Sequence, residues 1–401
     1  MRSRRPLIPA RDGPAVQGLI NDNDEHRLIR ESVAKIADRY GAAYFLERAR
    51  TNGNIDELWK ELGESGLLGV HLPEEFGGGG GGMAEAVVVV EELAAHGFPL
   101  LIWVISPAIC GSIVNMHGST EMKQKWLPAL ADGSKKMSFG LTEPDAGSNS
   151  HALNTTATRD GDGWVLSGGK YYISAVDEAD ALLVVAKDIE HSTGERKALS
   201  LFVVPTDTPG LTLQKIDTAI VSPDKQFTVF LDEVRVGPDA LIGEAGQGLK
   251  QVFAGLNPER ILVGAICGGV GRYALDKAVD YAKTREVWSV PIGSHQGVSH
   301  PLAAAQIDVE LGRLATAKSA ELFDAGKSAG EAANIAKYAA SEAALKALDQ
   351  SIQTHGGNGL THEYGLAELW FVTRLMRTAP VSKEMVLNFV AQTTMGLPRS
   401  Y

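Results

Sequence analysis

Residues 256–264, LNPERILVG, set a carboxylate, Glu259, beside a guanidinium, Arg260, where an apolar pattern of helical period begins. Such a carboxylate has two uses. In the first turn of a helix it complements the dipole, with Asn257 as N-cap and Pro258 as the first helical residue. In a desolvated site its pKa climbs toward neutrality and it becomes a general base. The local pattern by itself favours the helix start, so any case for a base must come from the rest of the chain.

Four other stretches could serve chemistry. SFGLTEPDAGSNS (138–150) is a strand running into a Gly/Ser/Asp turn, whose backbone amides can close on an anion or a ring edge. It matches neither a Walker loop nor a GxGxxG fingerprint. GDGWVLSGGKYYISAVDEAD (161–180) reads as an alternating strand with a Gly-Gly corner. REVWSVPIGSHQ (285–296) reads as a charged helix end and a loop, and QTHGGNG (353–359) as a glycine turn. The 10 histidines and 2 cysteines form no HExxH pattern and no Cys/His cluster, so no metal is expected. Cys110 and Cys267 lie in apolar helical surroundings and read as buried thiols of a reducing compartment.

The elements that must carry these stretches change character twice along the 401 residues, too long a chain for one simple core. Helical spacing runs from Asp22 to about Ala131, with clear stretches at 55–67 and 83–96. Between them the six glycines at 77–82 read as a mobile turn. After Lys136 come seven β-type runs: MSFGLT, LNTTATR, GWVLSGGKYYIS, ALLVVAK, ALSLFVV, LTLQKI and FTVFLDEVRV. Their spacing suits an antiparallel sheet or small barrel. From about Gly246 helical period returns, with alanine-rich helices near 301–323 and 330–354. The reading is therefore an α+β multidomain protein, divided 1–135, 136–246 and 247–401. A net charge of −11 argues against nucleic acid as a partner, and no apolar run is long enough to span a membrane. The basic start MRSRRPLIPARDG is a disordered leader or a transit peptide. Localisation is then cytoplasmic in the first case and the mitochondrial matrix in the second.

Taken in order, the four stretches resemble the motifs of the acyl-CoA dehydrogenase family, and the HLPEEFGG segment agrees with it. The resemblance implies an N-terminal helical domain, a central antiparallel, barrel-like β-domain and a C-terminal four-helix bundle. FAD would lie between the last two, within a homotetramer or dimer. It also implies cofactor contacts from Phe139, Leu141, Thr142, Gly147 and Ser148 in the first motif. Tyr172, Ile173 and Ser174 follow in the second, with Tyr172 where tryptophan is commoner. Arg285, Trp288 and Gln296 would reach a neighbour's cofactor, while Gln353, Gly356 and Gly357 would hold its diphosphate. Ser382 and Glu384 complete the set. Ser148, Asn257 and Arg260 fall on substrate-contact positions.

The implied reaction is α,β-dehydrogenation of an acyl-CoA thioester, in which a carboxylate removes the α-proton and a hydride passes to flavin N5. An electron-transfer flavoprotein is the implied acceptor. In many members the base lies beyond the GGxG turn, which an ungapped count places at Pro380. Proline is no base, and it lacks the N–H that members offer the thioester oxygen. A donor near Val381 or Ser382 is one replacement. Other members carry the base on the first bundle helix before an arginine, which is the Glu259–Arg260 pair, on a helix that would begin near Gly248. Glu259 is thus the leading base and Glu384 the runner-up. Alternatives are a flavin oxidase or monooxygenase of the same fold, or a non-catalytic paralogue acting as a partner subunit.

Overall fold

Apolar residues at helical spacing build the first third of the chain. The computed structural model describes residues 19–399 apart from 21 and 195, so the basic leader lies outside the described residues. Asn23 caps α1 (Asp24–Tyr40) by accepting from His26 N at 2.7 Å. The chain continues through α2 (Ala43–Arg50), α3 (Asp56–Glu64), α4 (Met83–Ala95), α5 (Leu101–Trp103), α6 (Ser112–His117) and α7 (Thr120–Ala131). The valine run of α4 stays helical despite its β-branching because α1 and the C-terminal helices bury it on nearly every side. Between α5 and α6, residues 104–111 form a π-helical stretch containing Pro107, a feature that often marks functional sites.

The six glycines are not a loose turn. Gly78, Gly79, Gly80 and Gly81 each donate a backbone hydrogen bond, to Pro73, Gly69, Leu72 and Val70 respectively, at 2.9–3.0 Å. A Cβ on Gly78 would sit 2.2 Å from the Leu72 oxygen. Glycine is needed there for close backbone approach, a use that composition alone does not distinguish from flexibility.

The seven β-type runs form β1 (Met137–Gly140), β2 (Thr156–Asp160), β3 (Gly163–Ser174), β4 (Ala181–Thr193), β5 (Arg196–Pro205), β6 (Leu211–Ile216) and β7 (Gln226–Val236). A short β8 (Leu241–Ile242) joins them in the order β6-β7-β3-β2-β4-β5-β8, with β1 beside β4. The sheet is mixed and its path open, whereas the expectation was antiparallel and barrel-like. β1 and β2 both pair with β4 in parallel, and alternation along a strand reports its faces and not its direction. Central β4 is apolar on both faces. Leu182, Val184 and Ala186 point into the core of the β-domain, while Ala181, Leu183 and Val185 join the core shared with the helices.

The C-terminal part is built on α8 (Gly248–Thr284), which is followed by a hairpin of β9 (Glu286–Val287) and β10 (Val290–Pro291). Next come α9 (Gln296–Asp324), α10 (Gly330–His355), α11 (Leu369–Thr378) and α12 (Lys383–Phe389). Small residues let the long helices approach; a Cβ on Gly312 would lie 2.9 Å from Ala340 Cα. No helix among the described residues is long and apolar enough to cross a membrane.

Candidate active site

α8 starts at Gly248 with Gln247 as N-cap, so Glu259 stands about three turns inside the helix. The reading of Asn257 as N-cap and Pro258 as first residue is overturned. Pro258 is an interior proline, and Asn257 Oδ1 instead accepts from Arg260 Nη1 at 3.1 Å. At this depth the helix N-terminus no longer depresses the carboxyl. Burial lifts the Glu259 pKa to about 7, against the pull of Arg260 and Lys337, although part of the residue's surface stays open. Burial also lowers the Arg260 pKa, opposed by Glu259, and its Nε has no hydrogen-bond partner.

Cys110 lies within reach of this carboxyl's charge and itself touches the β-domain. Cys110, in the π-helical stretch, feels the Glu259 charge, and its thiol is pushed well up by burial and by that charge. Its Sγ approaches Ser138 O at 3.5 Å, and Ser138 Oγ donates to Ser174 O at 2.9 Å. Ser174 Oγ pairs with the Gln226 amide. Phe139, Leu141 and Thr142 are partly buried beside this line, while Gly147 and Ser148 are exposed. A register shift between Lys170 and Ile173 turns Tyr172 outward at φ 57, with 55% of its surface exposed. A non-glycine residue held at positive φ is the kind of strain that functional sites retain. Ile173 packs in the β-domain core and can present only its main chain.

Sequence reasoning missed the ion pair beneath this surface. Lys170 Nζ, fully buried, donates to Glu143 Oε1 at 2.8 Å and to Leu141 O at 3.2 Å. Glu143 also accepts from Asn154 N at 2.6 Å and Thr155 N at 3.0 Å, which fixes the turn that follows β1. Burial brings the Lys170 pKa down to about 8 against the attraction of Glu143. Burial would raise the Glu143 carboxyl, but Lys170 outweighs it and holds it below the usual range. The signal in the sequence was a lysine directly after the Gly-Gly corner of an otherwise apolar strand.

The remaining site residues gather elsewhere. The last turn of α8 meets the end of α10, where the Tyr281 and His355 rings lie 4.4 Å apart. Gln353, Gly356 and Gly357 are exposed there, close to the chain leading to Arg285, Trp288 and Gln296. Along the helix this end is roughly 30 Å from Glu259. Trp288 and Ser289 form the hairpin tip at φ 50 and 64, and Trp288 is 83% exposed. At the opposite side of the bundle Ser382 caps α12 by accepting from Met385 N, and Glu384 is an exposed first-turn acid. The structure therefore gives Glu384 the helix-start role and Glu259 the desolvated one.

Helix, sheet and helix, with a desolvated carboxyl in α8 and a strained residue, Tyr172, near the end of β3, define a three-part α+β architecture. Family models match in chain order: acyl-CoA dehydrogenase N-terminal domain at residues 23–134, middle domain at 138–234 and C-terminal domain at 246–395. Acyl-CoA dehydrogenase FadE12 of Mycobacterium tuberculosis is 54% identical over 95% of this chain and 98% of its own. Among solved structures, butyryl-CoA dehydrogenase from Megasphaera elsdenii superposes with a TM-score of 0.89 at 27% identity, covering 94% of this chain and 99% of that one. A glutaryl-CoA dehydrogenase from Mycobacterium smegmatis in complex with FADH2 gives 0.87 at 27% identity, covering 94% and 96%. The chain belongs to the acyl-CoA dehydrogenase family, and it is an FAD-binding oxidoreductase. Its surfaces fit that group. A Cβ on Gly147, Gly356 or Gly357 would meet no atom within 4 Å, so the backbone at each of these two places is open to a flat or anionic ligand.

Proposed function

We propose that the protein dehydrogenates an acyl-CoA thioester between its α- and β-carbons, with Glu259 as the base. The observation that carries this reading is the placement of Glu259. It is desolvated inside α8 with Cys110 within reach of its charge, while Pro380 has no proton-accepting group and Glu384 faces solvent. A carboxyl with a pKa near 7 is ionised often enough to accept a proton, and basic enough to take one from a weak carbon acid.

Asn257 and Arg260 orient the thioester, and Glu259 Oε removes the α-proton. Negative charge then grows on the thioester oxygen, where Val381 or Ser382 N–H replaces the donor absent at Pro380. The chemistry FAD supplies when bound is acceptance of the β-hydride. Phe139, Leu141, Thr142, Gly147, Ser148, Tyr172, Ser174 and the main chain of Ile173 form one wall of its site. Arg285, Trp288, Gln296, Gln353, Gly356 and Gly357 form the other. Because roughly 30 Å of helix separates that second cluster from Glu259, the two walls come from different copies in a homotetramer or dimer. Ser382 and Glu384 border the site at the start of α12. An electron-transfer flavoprotein takes the electrons onward, and the mycobacterial relative favours a bacterial cytoplasm and a role in fatty-acid metabolism.

The test is Glu259→Gln, purified with its flavin and titrated anaerobically with butyryl-, isovaleryl- and octanoyl-CoA. The variant should stay yellow and lose substrate-dependent bleaching by at least about 100-fold. Undiminished bleaching removes Glu259 as the base. Peroxide formed rapidly in air by the reduced wild-type protein would instead indicate an oxidase.

A further inference from the structure

Lys337 on α10 is 1% exposed, and an ammonium is rarely buried this deeply without a task. It forms no close ion pair among the described residues. Its Nζ donates to Val381 O at 2.6 Å and to Arg377 O at 3.2 Å, one on each side of Pro380. The first of these carbonyls lies in the connector between α11 and α12, and the second in the last turn of α11. A second grip, on the helix ends that flank this connector, comes from Glu342, just over one turn further along α10, which pairs with Arg377 Nε at 2.5 Å and lies 3.6 Å from Lys383. Lys337 also faces α8, where Glu259, Arg260 and Cys267 all act on its charge.

We propose that Lys337 is a positioning residue for the dehydrogenation: its ammonium fastens the chain on both sides of Pro380 to α10 and is the fixed positive charge beside which Glu259 works. This inference rests on Glu259 being the base.

The two roles reinforce each other. A proline at 380 gives up an N–H, and with it one means of anchoring the connector next to the reacting carbonyl. Lysine hydrogen bonds to the neighbouring carbonyls supply the anchor from behind. In a trans peptide the N–H points opposite to the C=O, so holding Val381 O toward Lys337 directs Ser382 N–H away from α10. The charge acts on Glu259 in a low-dielectric setting where Coulomb attraction is strong. The other charged or titratable groups facing Glu259 are Arg260 on α8 and Cys110 in the π-helical stretch. Burial draws the Lys337 pKa down to about 8, with Cys267, Glu259 and Glu342 opposing and Arg260 assisting. It is therefore still mainly protonated at neutral pH.

Lys337→Met removes both roles, Lys337→Gln removes the charge while keeping a donor, and Lys337→Arg keeps the charge. The rate of anaerobic flavin reduction by butyryl-, isovaleryl- or octanoyl-CoA is followed with pH in each holoenzyme. Loss of the ammonium should move the lower limb to higher pH by about one unit, a roughly tenfold loss of rate on the acid side that alkali restores. Lys337→Arg should keep the wild-type limb. Hydrogen exchange of residues 379–385, measured without substrate, should speed up at least about tenfold in Lys337→Met and stay at the wild-type rate in Glu259→Gln. If Lys337→Met does not retain FAD, Lys337→Gln carries the pH test. A limb that superimposes on wild type in a neutral variant, or unchanged exchange in Lys337→Met, overturns the proposal. If the limb instead persists in Glu259→Gln, it is the base assignment that fails.

Discussion

Arg313 Nη2 and Glu91 Oε1 lie 2.8 Å apart, joining α9 to α4 through a carboxylate that is 1% exposed. Arg30 of α1 and Arg272 of α8 reach the same carboxylate at 2.9 and 3.0 Å and share Glu92 as well. Three guanidiniums on three helices thus converge on two adjacent acids, and the N-terminal helices are fixed to the bundle by charge as well as by apolar packing. Burial would raise the Glu91 carboxyl, but Arg313, Arg30 and Arg272 outweigh it and hold it well below the usual range.

Removing that acid takes the shared counter-charge from three guanidiniums, leaving Glu92 to Arg30 and Arg272 and Glu310 to Arg313. Glu91→Ala should destabilise the fold by about 3–5 kcal/mol, far more than a surface substitution. Because the folded pKa is depressed, the stabilisation is complete above the unfolded value near 4.5 and is lost as pH falls below it. Thermal unfolding followed by circular dichroism from neutral to acid pH checks both points. A variant melting within a degree of wild type at neutral pH would show the cluster to be energetically idle.

Asp224 has the opposite sign. Its Oδ2 accepts from Leu101 N at 3.1 Å, so a loop of the β-domain caps the start of α5. Burial, with Glu178, raises its pKa to about 7, against the Leu101 and Ile102 amides and Lys136. A raised acid binds its proton more tightly folded than unfolded. The stability it confers is present below its ordinary value near 3.8 and is lost as pH rises through about 7. Asp224→Asn keeps an acceptor and removes the charge, so it should melt like wild type only below about pH 3.8 and increasingly higher than wild type as pH rises to about 7, by up to roughly 4 kcal/mol. Parallel curves across that range would mean that Asp224 is ionised at no cost.

How much of this was legible before the structure depends on what each residue's neighbours are. Every β-type run became a strand because alternation and turn residues are local signals. Strand direction was not legible, since β1 and β2 pair with β4 in parallel for reasons that lie in the chain's path between domains. Asn257, Pro258 and Glu259 imitate a helix start well, and only the residues before them, from Gly248, show the helix already running. The resemblance placed that start correctly where the local pattern did not. Lys337 looks like an ordinary surface lysine in sequence, and Lys170 is marked only by its place after the Gly-Gly corner; their acceptors lie in distant segments, and burial is a tertiary property.

Trp288 offers a test of assembly. Within one protomer its side chain is 83% exposed, and the backbone sits at φ 50, so the residue is held out at some local cost with little return from its own chain. Trp288→Ala should change folding of the protomer by no more than about 0.5 kcal/mol. An interface anchor, however, is worth about 2 kcal/mol or more, or roughly 30-fold in association. Sedimentation velocity on dilution should therefore show the variant dissociating at higher concentration than wild type and losing FAD as it does so. Identical dissociation curves would take Trp288 out of the interface.

The pH dependence of catalysis follows from the position of Glu259. A base must be ionised to work, so kcat/KM should rise with pH and level off above a midpoint near the carboxyl's value of about 7 in the free enzyme. The runner-up, Glu384, is an exposed first-turn acid that lacks the burial acting on Glu259. Glu259→Asp, one methylene shorter, should keep the limb and lose about 10–100-fold in rate, since the carboxylate remains but its reach does not. Glu384→Gln should leave both limb and rate of proton removal close to wild type while FAD is held. A limb that disappears in Glu384→Gln and persists in Glu259→Gln would move the base to α12.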